Sequence, residues 1–199
     1  KFRKRQLVRF YQEKFVIQNY LKKREIIREY KKHFDLKLFV ETGTFLGDTI
    51  DVLLSDFQTL YSIELQDNLA RKAVNRFKGI EKVKILHGDS ADILPIIMPE
   101  LTKPTLFWLD GHYSSSFYVG NEFIETAKGE KETPIMEELS SILKDGLKGN
   151  VILIDDVCIF NGLGDYPTIQ RLVKLLLDKG ISRRQISIKK DIIRIVPLL

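Results

Sequence analysis

Leu36-Lys37-Leu38-Phe39-Val40-Glu41-Thr42-Gly43-Thr44-Phe45-Leu46-Gly47-Asp48-Thr49 reads as a buried strand, a glycine turn and a helix start in one run. The apolar run Leu36–Val40 is too short for a helix and suits a strand covered on both faces. The two glycines allow a tight turn and let a ligand approach the backbone before the next helix begins. Their spacing is G-x-x-x-G. The dinucleotide fingerprint G-x-G-x-x-G and the phosphate loop G-x-x-x-x-G-K-[ST] are both absent, and no lysine lies in the turn. Such a turn suits a ligand with little phosphate.

Working outward, short apolar runs recur at Thr59–Ile63, Val83–Leu86, Thr105–Leu109 and Val151–Ile154. Amphipathic stretches at 48–55, 67–77, 91–98, 134–144 and 167–179 alternate with them and predict helices. This alternation implies βαβ units with right-handed crossovers and a mostly parallel sheet. Gln185–Lys189 and Ile192–Pro197 flank Lys190-Asp191 and predict a closing antiparallel hairpin. Residues 111–133 show no clear periodicity and are expected to form a long loop over the substrate.

The chain has 199 residues, 44% of them apolar, enough for one substantial core. No run of 18 apolar residues occurs, so no membrane span is expected. The single cysteine, Cys158, excludes an internal disulfide and argues against a cysteine zinc site. It sits beside an apolar strand end and is expected to be a buried structural thiol. With no signal-peptide pattern at the start, a cytoplasmic location is expected.

The net charge of +5 is uneven. Residues 1–34 hold 12 Lys/Arg against 3 Asp/Glu, whereas the rest holds 20 against 24. Residues 3–33 lack Gly and Pro, and Leu7, Tyr11 and Phe15, then Ile27, Tyr30 and Phe34, recur at helical spacing. The chain therefore divides into a basic helical arm, 1–35, and an α/β domain, 36–199. The arm's expected role is packing on the domain, with peripheral membrane contact, nucleic-acid contact or oligomerisation as alternatives.

Ligands of an open parallel sheet bind beyond the carboxyl ends of its strands. Here the strands run out into Glu41, Glu64, Asp89, Asp110 and Asp155-Asp156. Each could be a solvated helix cap, but a row of like charges on one edge calls for a cation or a donor-rich ligand. Glu64, 21 residues beyond Gly43, is placed to accept hydrogen bonds from both hydroxyls of a ribose. Asp89, followed by Ser90, is placed to meet an adenine amino group. Asp110, Asp155 and Asp156 offer an oxygen-rich site for Mg²⁺ or another divalent cation. His112, beside Asp110, is the nearest candidate general base, and the two make the expected catalytic pair.

The ordered set Val40-Glu41-Thr42-Gly43-Thr44-Phe45-Leu46-Gly47, Ser62-Ile63-Glu64, Gly88-Asp89-Ser90 and Trp108-Leu109-Asp110 resembles the class I S-adenosylmethionine (SAM)-dependent methyltransferases. The resemblance implies a Rossmann-like seven-stranded sheet with a reversed C-terminal hairpin, flanked by helices. It places SAM over Glu41, Thr42, Gly43, Thr44 and Gly47, with Glu64 on the ribose, Asp89 and Ser90 near adenine, and Asp110 at the reacting end. The glycine motif departs from the commoner G-x-G-x-G form, since Phe45 and Leu46 follow Thr44. The acid after strand four and the Asp-Asp pair after strand five resemble the macrocin-type O-methyltransferases. That implies a divalent metal on Asp110, Asp155 and Asp156 and a hydroxyl acceptor, a sugar, glycan or other small molecule.

Three rivals stand beside this reading. A nicotinamide-dependent oxidoreductase could use Glu64 equally well, but the glycine pattern and acid cluster oppose it. A nucleic-acid methyltransferase could use the basic arm, but no Asn-Pro-Pro-Tyr-type motif occurs. A non-catalytic domain of the same fold would have no use for an acid at every strand end.

Overall fold

Alternate residues of the central strands point to opposite faces, and both faces are covered. Leu106 and Trp108 of one strand face one apolar cluster while Phe107 and Leu109 face another. Val151 and Leu153 alternate with Ile152 and Ile154 in the same way. Burial on both sides is why these segments are continuous apolar runs. The computed structural model describes residues 21–119 and 122–198. Leu7, Tyr11, Phe15 and most of the basic arm lie outside the described residues.

The elements in order are α1 (residues 21–33), β1 (Leu38–Thr42), α2 (Asp48–Leu53), β2 (Thr59–Glu64), α3 (Asp67–Arg76), β3 (Val83–His87), α4 (Ser90–Ile97) and β4 (Thr105–Leu109). They continue as β5 (Phe117–Val119), β6 (Glu122–Ile124), α5 (Ile135–Ile142), β7 (Val151–Ile154), α6 (Ile169–Asp178), β8 (Ile186–Lys189) and β9 (Ile192–Ile195). Seven strands form one sheet in the order β3-β2-β1-β4-β7-β9-β8. The first five are parallel to one another, while β9 runs antiparallel to both β7 and β8. This is the expected Rossmann-like sheet with its closing hairpin.

Residues of α4, α5 and α6 pack in one apolar cluster, and those of α1 and α2 in the other. Ile26 and Ile27 anchor α1 beside Phe39, Leu53 and Trp108, so this end of the basic segment is part of the core. Strand order reverses direction between β1 and β4, which opens a crevice at their carboxyl ends.

Three expectations need correction. Segment 111–133 is not all loop: it contains the two-stranded hairpin β5–β6. The first strand runs two residues later than the apolar run predicts, so Glu41 is a buried strand residue and not the residue after the strand. Cys158 is exposed. The chain leaves the sheet after Ile154, and in the next turn Val157 takes the buried place while the Cys158 N–H bonds Asp191 Oδ1 at 2.9 Å.

Candidate active site

The turn after β1 is fixed by close backbone approach. Gly43 has φ 85°, and a Cβ there would lie 2.7 Å from the Asp110 carbonyl oxygen. The Thr42 hydroxyl accepts the Gly111 N–H at 3.2 Å, tying the ends of β1 and β4 together. Across the turn, Glu64 ends β2 and accepts two backbone N–H groups, from Phe45 at 2.8 Å and from Gln66 at 2.9 Å. Burial raises its pKa, against the pull of those bonds. Asp89 caps α4 by accepting the Ala91 N–H at 3.0 Å.

These residues surround a cavity of about 690 Å³ at the crevice. Gly43, Glu64, Asp89, Ser90, Asp110 and His112 all lie on its wall, together with Asp155 and Asp156. Tyr113, Thr126 and Gly129 bring the segment between β4 and α5 to its rim. The volume suits a nucleoside-sized ligand with room for a second molecule.

Glu41, Thr42, Thr44 and Gly47 support this wall without lining it. The Ser62 hydroxyl donates to Glu41 Oε1 at 2.6 Å and lies 2.6 Å from the Thr44 hydroxyl. Burial pushes the Glu41 pKa up to about 8, opposed by the Ser62 bond, with the Glu64 carboxylate adding to the rise. Gly47 (φ 80°) leaves room for the Phe77 ring, which a Cβ would meet at 2.8 Å. A matching buried acid sits under the other side. Glu138 of α5 accepts the Ser90 hydroxyl at 2.6 Å, and burial raises its pKa to about 7.

Beyond Gly43, Asp110, His112 and Asp156 each offer a ligand atom, all within 4.8 Å of one another. His112 Nδ1 lies 3.6 Å from Asp110 Oδ1, and Nε2 lies 3.6 Å from Asp156 Oδ2. Neither is a hydrogen bond. A neutral imidazole has one N–H, so one of its nitrogens faces a carboxylate with a lone pair. Burial lowers the His112 pKa and favours that neutral form, while burial beside Asp155 and Asp156 raises Asp110 well above the usual carboxylate range. Convergent lone pairs and acid oxygens of this kind fit a divalent cation.

Asp155 is not one of these three. Its Oδ2 lies 2.5 Å from the Lys23 ammonium of α1, and its Oδ1 accepts the Asp156 N–H at 2.9 Å. Lys23 also reaches Asp156 Oδ1 at 3.1 Å.

Sequence reasoning missed Lys23 and Glu138. Glu138 had a signal: it falls within the apolar stripe Ile135, Leu139, Ile142 and is itself buried. Lys23 had none, since its place follows from how α1 docks.

Solved structures share this architecture. The chain superposes on the O-methyltransferase TomG of Streptomyces achromogenes, which is involved in tomaymycin synthesis and was solved with SAM. The TM-score is 0.59 at 18% identity, covering 87% of this chain and 79% of TomG. Against the Podospora anserina methyltransferase PaMTH1, bound to S-adenosylhomocysteine, the TM-score is 0.56 at 15% identity, covering 86% and 76%. The Bacillus cereus O-methyltransferase, also bound to S-adenosylhomocysteine, gives 0.55 at 13% identity, covering 88% and 81%.

The chain shares the fold of these methyltransferases. No protein-family model matches the sequence, and no curated protein matches it.

Proposed function

We propose that this protein transfers the methyl group of SAM to a hydroxyl oxygen of a small-molecule acceptor, a sugar or glycan hydroxyl, with help from a divalent cation. The observation that carries this reading is the single cavity wall joining two stations. Glu64 stands at one, Asp110, His112 and Asp156 at the other, and Gly43 lies between them against the Asp110 backbone.

The chain's own groups account for most of the chemistry. Gly43 leaves the backbone open to the methionine end of SAM, Glu64 faces the ribose hydroxyls, and Asp89 with Ser90 borders the base. SAM, when bound, supplies a methyl already activated by its sulfonium, so orientation is the main remaining demand. Asp110 and Asp156 are the hard oxygen ligands that Mg²⁺ favours, and Asp155 can join them once Lys23 moves aside. A bound divalent ion would lower the pKa of an acceptor hydroxyl. His112, held neutral by burial, is placed to take that proton.

Acids outnumber lysines and arginines on the cavity wall. That charge welcomes the cationic sulfonium and ammonium of SAM and disfavours a phosphate-rich acceptor, which argues against nucleic acid. Among the described residues no helix is long and apolar enough to cross a membrane.

The test is calorimetric titration with S-adenosylhomocysteine beside NAD⁺, each with and without Mg²⁺. Micromolar binding of S-adenosylhomocysteine and none of NAD⁺ is expected, followed by an acceptor screen that starts with glycosides. No binding of S-adenosylhomocysteine in either condition overturns the proposal.

A further inference from the structure

Lys23 enters the acid cluster from outside the sheet. Every other charged group there sits at a strand end or in the segment just after it, whereas Lys23 belongs to α1. Its ammonium lies between Asp155 Oδ2 at 2.5 Å and Asp156 Oδ1 at 3.1 Å. The Asp155 side chain is only 1% exposed, while that of Lys23 is 31% exposed, so the pair is shielded from solvent on the carboxylate side alone. Asp156 is shared: one of its oxygens holds Lys23, and the other faces His112 Nε2 at 3.6 Å. Three and four residues after Lys23, Ile26 and Ile27 bury their side chains in the core. Positions so spaced lie on one helix face, so the ionic clasp and the apolar anchor dock α1 together.

We propose that Lys23 is the resident counter-cation of this site, and that a divalent ion binds at Asp110 and Asp156 only by drawing Asp156 away from Lys23. This rests on the cation site proposed above. Two consequences follow from charge alone. Lys23 repels an incoming divalent cation and engages a carboxylate that the ion needs, so it sets the ion's affinity. By linkage, the ion loosens the clasp by the same factor that the clasp weakens the ion. Because α1 also lines the cavity through Leu21, Lys23, Arg24 and Ile27, the ion loosens the ionic one of the contacts that dock this wall, while Ile26 and Ile27 keep it on the core.

The experiment measures Mn²⁺ binding from the electron paramagnetic resonance signal of the free ion. It compares the wild-type chain with Lys23→Met, which keeps the apolar stem, and Lys23→Arg, which keeps the charge. Lys23→Met is expected to bind Mn²⁺ at least tenfold more tightly, and Lys23→Arg to stay within threefold of wild type. Equal or weaker binding by Lys23→Met overturns the proposal. Should Lys23→Met fail to fold, amide hydrogen exchange of residues 21–33 in the wild-type chain decides. Faster exchange with Mn²⁺ supports the proposal, and unchanged exchange overturns it. S-adenosylhomocysteine binding to the wild-type chain separates the two readings. Its absence sinks the methyltransferase assignment and leaves the Mn²⁺ result standing; its presence with no effect of Lys23→Met sinks this proposal alone.

Discussion

The Glu64 carboxylate accepts the backbone N–H of Phe45 at 2.8 Å, and Phe45 sits at φ 50°, a conformation a bulky residue adopts at a cost. The side chain that faces the proposed ribose is therefore also the one that holds the glycine turn in shape. Truncation removes both roles at once.

Glu64→Ala is accordingly expected to weaken S-adenosylhomocysteine binding by roughly 10- to 100-fold, the loss of one or two charge-assisted hydrogen bonds. Glu64→Gln should rescue little. Its amide NH₂ would point at one of the two N–H donors that the carboxylate now accepts, Phe45 or Gln66. Calorimetry reads the result, and unchanged affinity in Glu64→Ala would remove the ribose assignment.

The turn itself can be tested at Gly43. An alanine there combines the left-handed φ of 85° with a Cβ 2.7 Å from the Asp110 carbonyl oxygen, a backbone atom held by the β1–β4 pairing. The cost should be on the order of 2–4 kcal/mol. For a chain of this size that is a fall in Tm of roughly 5–15 °C. Gly47→Ala should cost less, because its Cβ would meet ring atoms of the Phe77 side chain and not a backbone carbonyl. Equal melting temperatures for the two variants would contradict the close approach.

Much of this was legible in the residues themselves. Both-sided burial turns Thr105–Leu109 and Val151–Ile154 into unbroken apolar runs, which is why their limits could be read directly. That Glu64, Asp89 and Asp110 share one cavity wall was legible because a parallel sheet presents its strand ends together. What escaped was tertiary. Glu41 looked like a strand-end acid, yet the strand extends through Thr42, because the β1–β2 register pairs Glu41 with Ser62 and Thr42 with Ile63. The β5–β6 hairpin had a signal in Gly120-Asn121 between two short apolar-rich segments, hidden within a long stretch of mixed composition. The partner of Asp155, Lys23, lies more than a hundred residues away, and no periodicity records such a contact.

Metal dependence turns on Asp156. Its two oxygens face Lys23 and His112, so an amide at this position leaves one neutral acceptor where two anionic ones stood. Asp156→Asn is expected to lower divalent-stimulated methyl transfer by roughly 10²-fold or more. S-adenosylhomocysteine affinity should stay within about threefold, since the Glu64 carboxylate is no part of this group and keeps its own backbone bonds. Full activity of the wild-type chain in excess chelator would refute a metal role altogether.

Glu138 offers a prediction on stability instead of activity. The side chain is 1% exposed, and its pKa rises to about 7 from an ordinary value of 4.5, chiefly through burial. A carboxyl whose folded pKa is raised favours the folded state while protonated. Its contribution is complete below about pH 4.5 and is lost as pH climbs through 7. Glutamine keeps an oxygen to accept the Ser90 hydroxyl but cannot ionise. Relative to wild type, Glu138→Gln should therefore gain stability as pH rises from 4.5 to 7 and hold that gain above 7. The full difference is on the order of 3 kcal/mol. Urea denaturation of both proteins at pH 5, 6, 7 and 8 gives the curve. A stability difference that stays flat across that range would show that Glu138 is already ionised beneath Ser90, with a compensating partner in place of burial alone.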